Sequence, residues 1–279
     1  MAVIQRGPWR FESRGATIQL EVFLVKWKDH KRITKYAAKA LGLDGDLAQR
    51  LAEASILPDI SPDREISAYI TRKGKVKVKN HRIQHHSFTA KSWIWKYLYR
   101  ARKQYLKGDP RWIESLGRAL HYIQDYSVSR DTTVLKVLKI RDWKKHDLIE
   151  NNLSKYSIPK EVIYEVTRLE VHANMLKFAV SLLAPEGDEE QVIKSAAYFS
   201  ALTVKGVLFP SMPQNLEENF KKALKRHLGL VGVPLGFSLL FLIFGMAGYF
   251  IALLGLVGLL HLLDSKFHYW NLERQWFNL

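Results

Sequence analysis

Apolar residues recur at three- and four-residue intervals along most of this chain, which is the spacing of one face of an α-helix. The first such run begins at Asp29 and breaks at residues 42–45, and a second helix follows with Asp46 as its predicted N-cap. Further helices are predicted over residues 90–106, 111–124, 159–184 and 188–208, and another begins near Asp142. These patterns predict an all-α fold built from many helices.

Two stretches depart from the helical spacing. In residues 72–79 basic and apolar residues alternate, which predicts one arm of a small β-hairpin. This basic ribbon is either solvated or in contact with anionic headgroups. Residues 1–26 are expected to form an N-terminal arm with one short strand. No signal peptide is recognisable there, so we expect the chain to keep its N-terminus and to stay in the cytoplasm.

The C-terminal region has a different composition. Residues 228–263 form a run of 36 residues without Asp, Glu, Lys or Arg, whereas one transmembrane helix needs about 20 apolar residues. Gly245 to Gly248 lie at its middle, which favours a hydrophobic helical hairpin, transmembrane or re-entrant, over a single tilted span or a soluble buried hairpin. Basic residues at 221–226 predict that the preceding domain is cytoplasmic. The aromatic tail, residues 264–277, is expected at the membrane interface.

Composition narrows the choice of partners. The chain has 279 residues, with 43 Lys and Arg against 27 Asp and Glu, and a net charge of +16. Its length allows one main domain with a sizeable core and an extension. Its charge favours polyanionic partners such as phospholipid headgroups or nucleic acid. It has no cysteine, which excludes disulfides and thiolate metal sites and fits a reducing compartment.

Two pairs of histidine and carboxylate residues are the candidate chemistry. His121 and Asp125 lie four residues apart, and so do His146 and Glu150. Residues four apart project from one face of a helix, and zinc takes imidazole nitrogen and carboxylate oxygen as ligands. A single pair of this kind is more often an exposed surface pair. Two such pairs in succession predict a cluster of metal ions.

The segment from Gly117 to Asp125, G-R-A-L-H-Y-I-Q-D, resembles the central motif of the zinc-dependent phospholipase C family. That superfamily also includes the single-strand-specific zinc nucleases. The resemblance covers about residues 27–212 and implies a helical domain in which side chains and an N-terminal tryptophan bind three zinc ions. The ligands that it implies follow the family's order and are His30, Asp59, His85 or His86, His121, Asp125, Asp131, His146 and Glu150.

Two positions depart from the family. Asp131 stands where the family has a histidine, which implies a more oxygen-rich site for zinc, manganese or another divalent metal. Trp27 precedes His30, but 26 residues precede Trp27, so without processing it has no free amine to donate. We therefore expect two or three metal ions. Arg130 is a candidate contact to an anionic phosphate, and an exposed surface arginine is the alternative.

The expected function follows from the resemblance and from the apolar segment. It is a membrane-associated, phospholipase C-like phosphodiesterase in which metal-activated water hydrolyses a phospholipid and Asp59 serves as ligand and general base. Membrane phospholipid is the expected partner, and nucleic acid is less favoured. The alternatives are a nuclease-like phosphodiesterase and a non-catalytic membrane adaptor on a degenerate site. The expected domains are the arm 1–26, the catalytic domain 27–212 and the membrane-associating segment 213–279.

Overall fold

A computed structural model describes residues 14–72, 74–83, 89–128, 131–134, 138–141 and 143–279. Most of these residues are helical, so the coarse prediction of an all-α fold is confirmed. The helices are α1 (Arg14–Ala40), α2 (Gly45–Ala54), α3 (Leu57–Ile60), α4 (Ala90–Leu106), α5 (Trp112–Tyr126), α6 (Trp143–Asn152), α7 (Lys160–Arg168), α8 (Ala173–Leu182), α9 (Glu189–Leu208), α10 (Leu216–Ile243), α11 (Ala247–Leu263) and α12 (Ser265–Phe277). The strands described form two antiparallel hairpins, β1 (Arg64–Ile70) with β2 (Val76–Arg82), and β3 (Asp131–Val134) with β4 (Leu138–Arg141).

Helix α5 lies at the centre of the helical body. It packs against α1, α2, α4 and α9, and nearly all of its residues are buried. A helix that is covered on every side normally carries apolar residues all round. The α5 helix instead buries His121, Gln124 and Asp125 near its C-terminal end. Buried polar groups of this kind need partners, and those partners define the candidate site.

A glycine brings the end of α2 against α5. The space that a Cβ atom would occupy at Gly117 is already filled by Ala54, the last residue of α2. Gly117 and His121 lie four residues apart and therefore on the same face of α5. The close approach places the carbonyl oxygen of Ser55 2.9 Å from Nδ1 of His121. A larger residue at position 117 would push α2 away from the histidine.

The short strand predicted for the N-terminal arm is absent from residues 14–26, the part of the arm that the structure describes, because α1 is one continuous helix from Arg14 onward. Glycine and proline are absent from residues 16–41, so nothing interrupts the helix before Gly42. Helix α1 therefore also crosses the predicted boundary between the arm and the catalytic domain at residue 26.

The N-cap of α2 is Asp44 and not Asp46, so that prediction is also wrong. The Asp44 carboxylate accepts a hydrogen bond from the amide of Leu47 at 2.8 Å. Gly42 has φ +86°, which ends α1 and lets the chain enter α2 with Asp44 in the extended conformation of an N-cap. Asp46 lies within the first turn of α2, where its charge interacts favourably with the helix dipole.

The middle of the chain agrees with the sequence patterns more closely. The predicted helix at residues 90–106 is confirmed as α4, and the basic ribbon is confirmed as an arm of the β1–β2 hairpin. The segment 159–184 contains two helices rather than one, since α7 ends at Arg168 and α8 begins after His172. The basic connection between the two metal-ligand pairs contains the β3–β4 hairpin, which was not predicted.

Residues 228–263 form most of a helical hairpin. Helices α10 and α11 pack against each other, and Gly245 at the turn between them has φ +72°, as the predicted turn requires. Arg226 forms an ion pair with Asp264, and Nδ1 of His227 lies 3.1 Å from Oδ2 of Asp264, so the two ends of the hairpin meet. Large apolar side chains are exposed along both helices.

Among the residues described, α10 is the one helix that is long and apolar enough to cross a membrane. Helix α11 reaches that length only together with α12, which is bent from it by 58°.

The tail that follows the helical hairpin returns to the helical body. The Trp276 ring is fully buried, and its Nε1 donates to the carbonyl oxygen of Gly206 at 2.9 Å. The buried Glu273 carboxylate accepts hydrogen bonds from the backbone amides of Ala173 and Asn174 at 3.0 and 2.7 Å, where it faces the positive end of α8. The expectation that the tail lies at a membrane interface is therefore wrong for Trp276.

Candidate metal centre

The first candidate cluster lies where α1, α3 and α5 meet. His30 comes from α1, and His121 and Asp125 come from α5. Nε2 of His30 lies 3.1 Å from Oδ1 of Asp125, and Nε2 of His121 lies 3.1 Å from Oδ2 of Asp125. The two imidazole rings are 4.5 Å apart between their centroids. Asp125 therefore faces one histidine with each of its oxygens, which joins both histidines into one cluster.

Asp59 reaches the same cluster from the short helix α3. Pro58 in the first turn of α3 favours a helix start, and it is buried while Asp59 faces the cluster. Oδ1 of Asp59 lies 3.7 Å from Nε2 of His121. Trp27 donates its indole Nε1 hydrogen to Oδ2 of Asp59 at 3.1 Å. Ligand atoms of His30, Asp59 and His121 all lie within 4.8 Å of one another, close enough to surround one metal ion.

The far side of each ring is held by a hydrogen bond. Gln124 donates its Nε2 hydrogens to Oγ1 of Thr34 and Oγ of Ser200, both at 3.0 Å, so its Oε1 is left to accept from Nδ1 of His30 at 2.7 Å. Nδ1 of His121 likewise donates to the Ser55 carbonyl. With Nδ1 as the donor, Nε2 of each ring, which faces Asp125, is the atom that can bind a metal.

The charges of this cluster depend on each other. Burial is the largest influence on His30 and disfavours its charge, but the charge and hydrogen bond of Asp125, together with Asp59 and Gln124, raise the pKa of His30 to about 9. Burial also disfavours the Asp125 charge, but His121 and His30 hold the pKa of Asp125 well below its ordinary value. Asp125 is therefore anionic, and a neighbouring cation, a proton or a metal ion, compensates its charge.

The second candidate cluster lies on α6. Nε2 of His146 lies 2.9 Å from Oε1 of Glu150, and His146 is buried. Ligand atoms of His146, Asp147 and Glu150 lie within 4.8 Å of one another. The four-residue spacing places His146 and Glu150 on one face of α6, as the sequence predicts. Asp147 was not predicted as a ligand.

One cavity connects the two clusters. It is lined by His30 and Asp125 from the first cluster and by Glu150 from the second, and its volume is about 20 Å³. A cavity of this size has room for about one water molecule or ion. One member of each predicted ligand pair, Asp125 and Glu150, therefore lines a common cavity.

Asp29 also lines this cavity, and the sequence analysis missed it as a candidate ligand. Its side chain is almost fully buried. Oδ1 lies 2.9 Å from Nη2 of Arg32, and among the residues described Oδ2 has no hydrogen-bond partner. Burial raises the pKa of Asp29, and Arg32 opposes that shift. An unpartnered buried carboxylate oxygen beside two histidine–carboxylate pairs is suited to a cation. Its position directly before His30 in the sequence was the one feature that could have indicated Asp29 as a candidate ligand.

Several predicted residues lie outside the part of the chain that the structure describes. These are His85, His86 and Arg130. The backbone of Asp131 begins strand β3 and pairs with Arg141, but its side chain is also outside the described part. Their roles as ligands or as a phosphate contact remain predictions.

A polar cluster around Asp63 lies next to the site, and no pattern in the sequence indicated it. Asp63 accepts hydrogen bonds from the hydroxyls of Tyr97 and Tyr122, the latter at 2.8 Å, and from Arg118 at 3.1 Å. Burial and the Asp63 charge raise the pKa of both tyrosines, so both remain neutral donors. Oδ1 of Asp59 also lies 3.5 Å from Nη2 of Arg82. These contacts attach both ends of the β1–β2 hairpin to the helical body beside the metal centre.

No protein-family model, curated protein or solved structure matches this chain. The assignment of a candidate metal centre therefore rests on the geometry of its donor atoms. The donors are imidazole nitrogens and carboxylate oxygens, they converge, and the far side of each of the two facing rings is held by a hydrogen bond. This donor set fits zinc, and its share of carboxylates also suits a harder divalent ion such as manganese.

Proposed function

We propose that this protein is a membrane-associated, metal-dependent phosphodiesterase that hydrolyses phospholipids in the manner of a zinc-dependent phospholipase C. One observation carries the proposal: Asp125 is shared by His30 and His121 at a cavity that Glu150 also lines. The resemblance of the Gly117–Asp125 motif selects His121 and Asp125 independently of the distances. The helical body then corresponds to the phospholipase C-like bundle.

Each residue has a proposed role. His30, Asp59, His121 and Asp125 hold one part of the metal cluster, and Asp131, His146 and Glu150 hold another. Zinc contributes Lewis acidity, which lowers the pKa of water to about 7. The backbone carbonyl of Ser55 fixes the ring of His121, and the Gln124 side chain fixes the ring of His30. The protein thereby orients two of the metal ligands. Asp59, which is held by Trp27, is the candidate base that takes a proton from water.

The helical hairpin supports a lipid substrate. Its apolar arms of about 16 residues are about 24 Å long, whereas the hydrocarbon core of a bilayer is about 30 Å thick. Arg226 and Asp264 join its two ends, so both ends lie on the same side. A hairpin of this length enters a bilayer or crosses a thin one, while the helical body stays on one side of the membrane. The basic residues 221–226 favour the cytoplasmic side. A lipid substrate explains this anchor, whereas a nucleic-acid substrate does not.

The first test measures metal and substrate together. We expect purified protein to contain about two or three zinc or manganese ions by elemental analysis, and to hydrolyse phosphatidylcholine and a soluble phosphodiester until a chelator removes the metal. Single-stranded DNA serves as the competing substrate. Faster cleavage of DNA than of lipid would establish the nuclease alternative. A protein without metal would support the non-catalytic adaptor instead.

The second test removes the hairpin without removing the tail. Because Arg226 and Asp264 meet, a short Gly-Ser linker can replace residues 229–262 and leave Trp276 in the core. We expect this variant to leave the membrane fraction and to keep its activity on the soluble phosphodiester, while its activity on vesicles falls. The matched control carries the same linker inserted at Gly245, with the hairpin intact. Equal loss of both activities would show that the hairpin is needed for the fold.

A further inference from the structure

The β1–β2 hairpin has two chemically different faces. Side chains alternate between the faces along a strand, and paired residues on adjacent strands share a face. In the observed register Ala68 pairs with Val78 and Ile70 pairs with Val76, whereas Tyr69 between them pairs with Lys77. One face therefore carries Ile66, Ala68, Ile70, Val76 and Val78, with Asn80 opposite Ile66 and with Arg64 and Arg82 at its base. The other face carries Glu65, Ser67, Tyr69, Lys77, Lys79 and His81.

The apolar face is exposed to solvent. The exposed fractions are 70% for Ile66, 74% for Ile70, 67% for Val76 and 68% for Val78. Isolated exposed apolar residues are common, but β-branched residues that are adjacent on one face of a two-stranded hairpin form a continuous patch. A two-stranded hairpin is at best marginally stable alone, so an uncovered apolar face needs a partner.

The charge of the hairpin indicates which partner. Residues 64–82 contain seven Lys and Arg residues and a single acidic residue, Glu65. Lysine side chains can extend their charged ends away from an apolar surface while their stems lie along it. An apolar face with a basic border is complementary to a bilayer that contains anionic lipids, where acyl chains and phosphates are layered in the same order.

The base of the hairpin is fixed to the candidate site. Asp63, which precedes β1, is held by Tyr97, Tyr122 and Arg118, and its carbonyl accepts from the amide of Ile83 at 3.0 Å. Arg82 at the end of β2 faces Asp59. Any surface that the hairpin contacts is therefore held at a defined distance from Asp59.

We infer that the β1–β2 hairpin places its apolar face in the interface of an anionic bilayer and so holds the metal centre above its lipid substrate. The inference rests on the proposed function and extends it, since it assigns the substrate to a bilayer surface rather than to free lipid. Among the residues that the structure describes, no further strand pairs with either edge of the hairpin. The backbone groups at these edges keep the hairpin in the hydrated interface and out of the hydrocarbon core.

The absence of cysteine allows a direct test on the full chain. Ile70→Cys places one thiol on the apolar face, and Tyr69→Cys places one on the opposite face of the same strand. Each variant is labelled with an environment-sensitive fluorophore and reconstituted into vesicles of phosphatidylglycerol and phosphatidylcholine, with or without a nitroxide on the acyl chains. We expect the nitroxide to quench the label at 70 at least about twofold more than the label at 69.

Two results would overturn the inference. One is equal quenching at both positions. The other is a label at 70 that is already shielded without vesicles and becomes more shielded with protein concentration, because a second copy of the chain would then cover this face. The fluorescence does not depend on metal or turnover. Quenching at 70 in a catalytically inactive protein would contradict the proposed function and leave the membrane contact standing.

Kinetics test the link to the substrate. Ile70→Ser with Val78→Ser removes apolar surface without adding charge, and we expect the ratio of activity on vesicles to activity on a soluble phosphodiester to fall about tenfold. Tyr69→Ser is the matched control on the opposite face, and its ratio should stay close to that of the unaltered protein. A ratio unchanged in the double variant would show that the hairpin does not position the site on lipid.

Discussion

The candidate metal centre and the helical hairpin show opposite departures from the usual arrangement of a soluble protein. The metal centre buries ionisable groups: His121, Asp125 and Asp29 are almost fully covered. The helical hairpin exposes apolar groups such as Phe237 and Phe244 along its length. Burying charge is costly without a compensating cation, and exposing a large apolar surface is costly in water. Each region therefore favours a component that the chain itself does not supply: a cation in one and, in the proposed function, lipid in the other.

Helix α12 connects the helical hairpin to the helical body that contains the candidate metal centre, so the two regions are not independent units. It follows the helical hairpin directly, yet it places Glu273 and Trp276 in the helical body. Arg102 donates to the carbonyl oxygens of Trp276 and Val207, both at 2.9 Å, which fixes the tail to α4 and α9. The hairpin is thus a loop that leaves the body and returns to it, and not a terminal appendage.

The largest expected effect tests this connection. Trp276→Ala removes a fully buried ring and its hydrogen bond to Gly206, and we expect a loss of about 3–5 kcal/mol in the free energy of unfolding. Phe237→Ala, on the hairpin and 56% exposed, should change it by less than about 0.5 kcal/mol in detergent micelles. Urea unfolding in a mild detergent measures both. A large effect at Phe237 would mean that the hairpin belongs to the core, and it would contradict the view that the hairpin exposes its apolar side chains.

Removal of the shared carboxylate tests the charged region. Asp125→Ala takes away the group that faces both His30 and His121, and we expect metal content to fall together with an activity loss of more than about a hundredfold. Asp46→Ala removes an exposed carboxylate in α2 and serves as the control. Elemental analysis and phosphodiester turnover are measured, with circular dichroism to verify the fold. Full metal occupancy without Asp125 would remove it from the centre.

The departure from the family at residue 131 predicts a smaller effect. If Asp131 binds metal, Asp131→Ala should lower metal content and activity together by about tenfold to a hundredfold. Asp131→His should retain much of both, because histidine is the residue of the family that the sequence resembles. Activity that is unaffected by Asp131→Ala would show that this position lies outside the site.

The smallest effect concerns protons rather than rates. The pKa of His30 in the metal-free protein is about 9, so this ring holds a proton at pH 7.5 that a metal must displace. Calorimetry in two buffers of different ionisation enthalpy should therefore detect release of about one proton from His30. The apparent metal affinity should rise about tenfold per pH unit until about pH 9. His30→Gln should flatten this dependence. Affinity that is independent of pH in the unaltered protein would contradict the role of His30.

Local spacing predicted much of the molecule. The periodicity of apolar residues and the Gly108 stop are contained within a few turns of chain, so α4 was predicted with its observed ends. The turn at Gly245 and the four-residue spacing of His121 with Asp125 are local in the same sense. The prediction of an arm separate from the first helix failed, because α1 continues without interruption from Arg14 through residue 26.

The candidate site likewise combines features that the local sequence sets with features that only the tertiary structure sets. The sequence by itself indicated the two histidine–carboxylate pairs as candidate ligands, because ligand chemistry and helical spacing belong to the residues. It did not determine that Ser55 and Gln124 would hold the rings, that Asp29 would line the cavity, or that Trp276 would return to the core. Those contacts join residues far apart in the chain. They depend on close approaches between helices, such as the one that Gly117 permits, and only tertiary packing decides them.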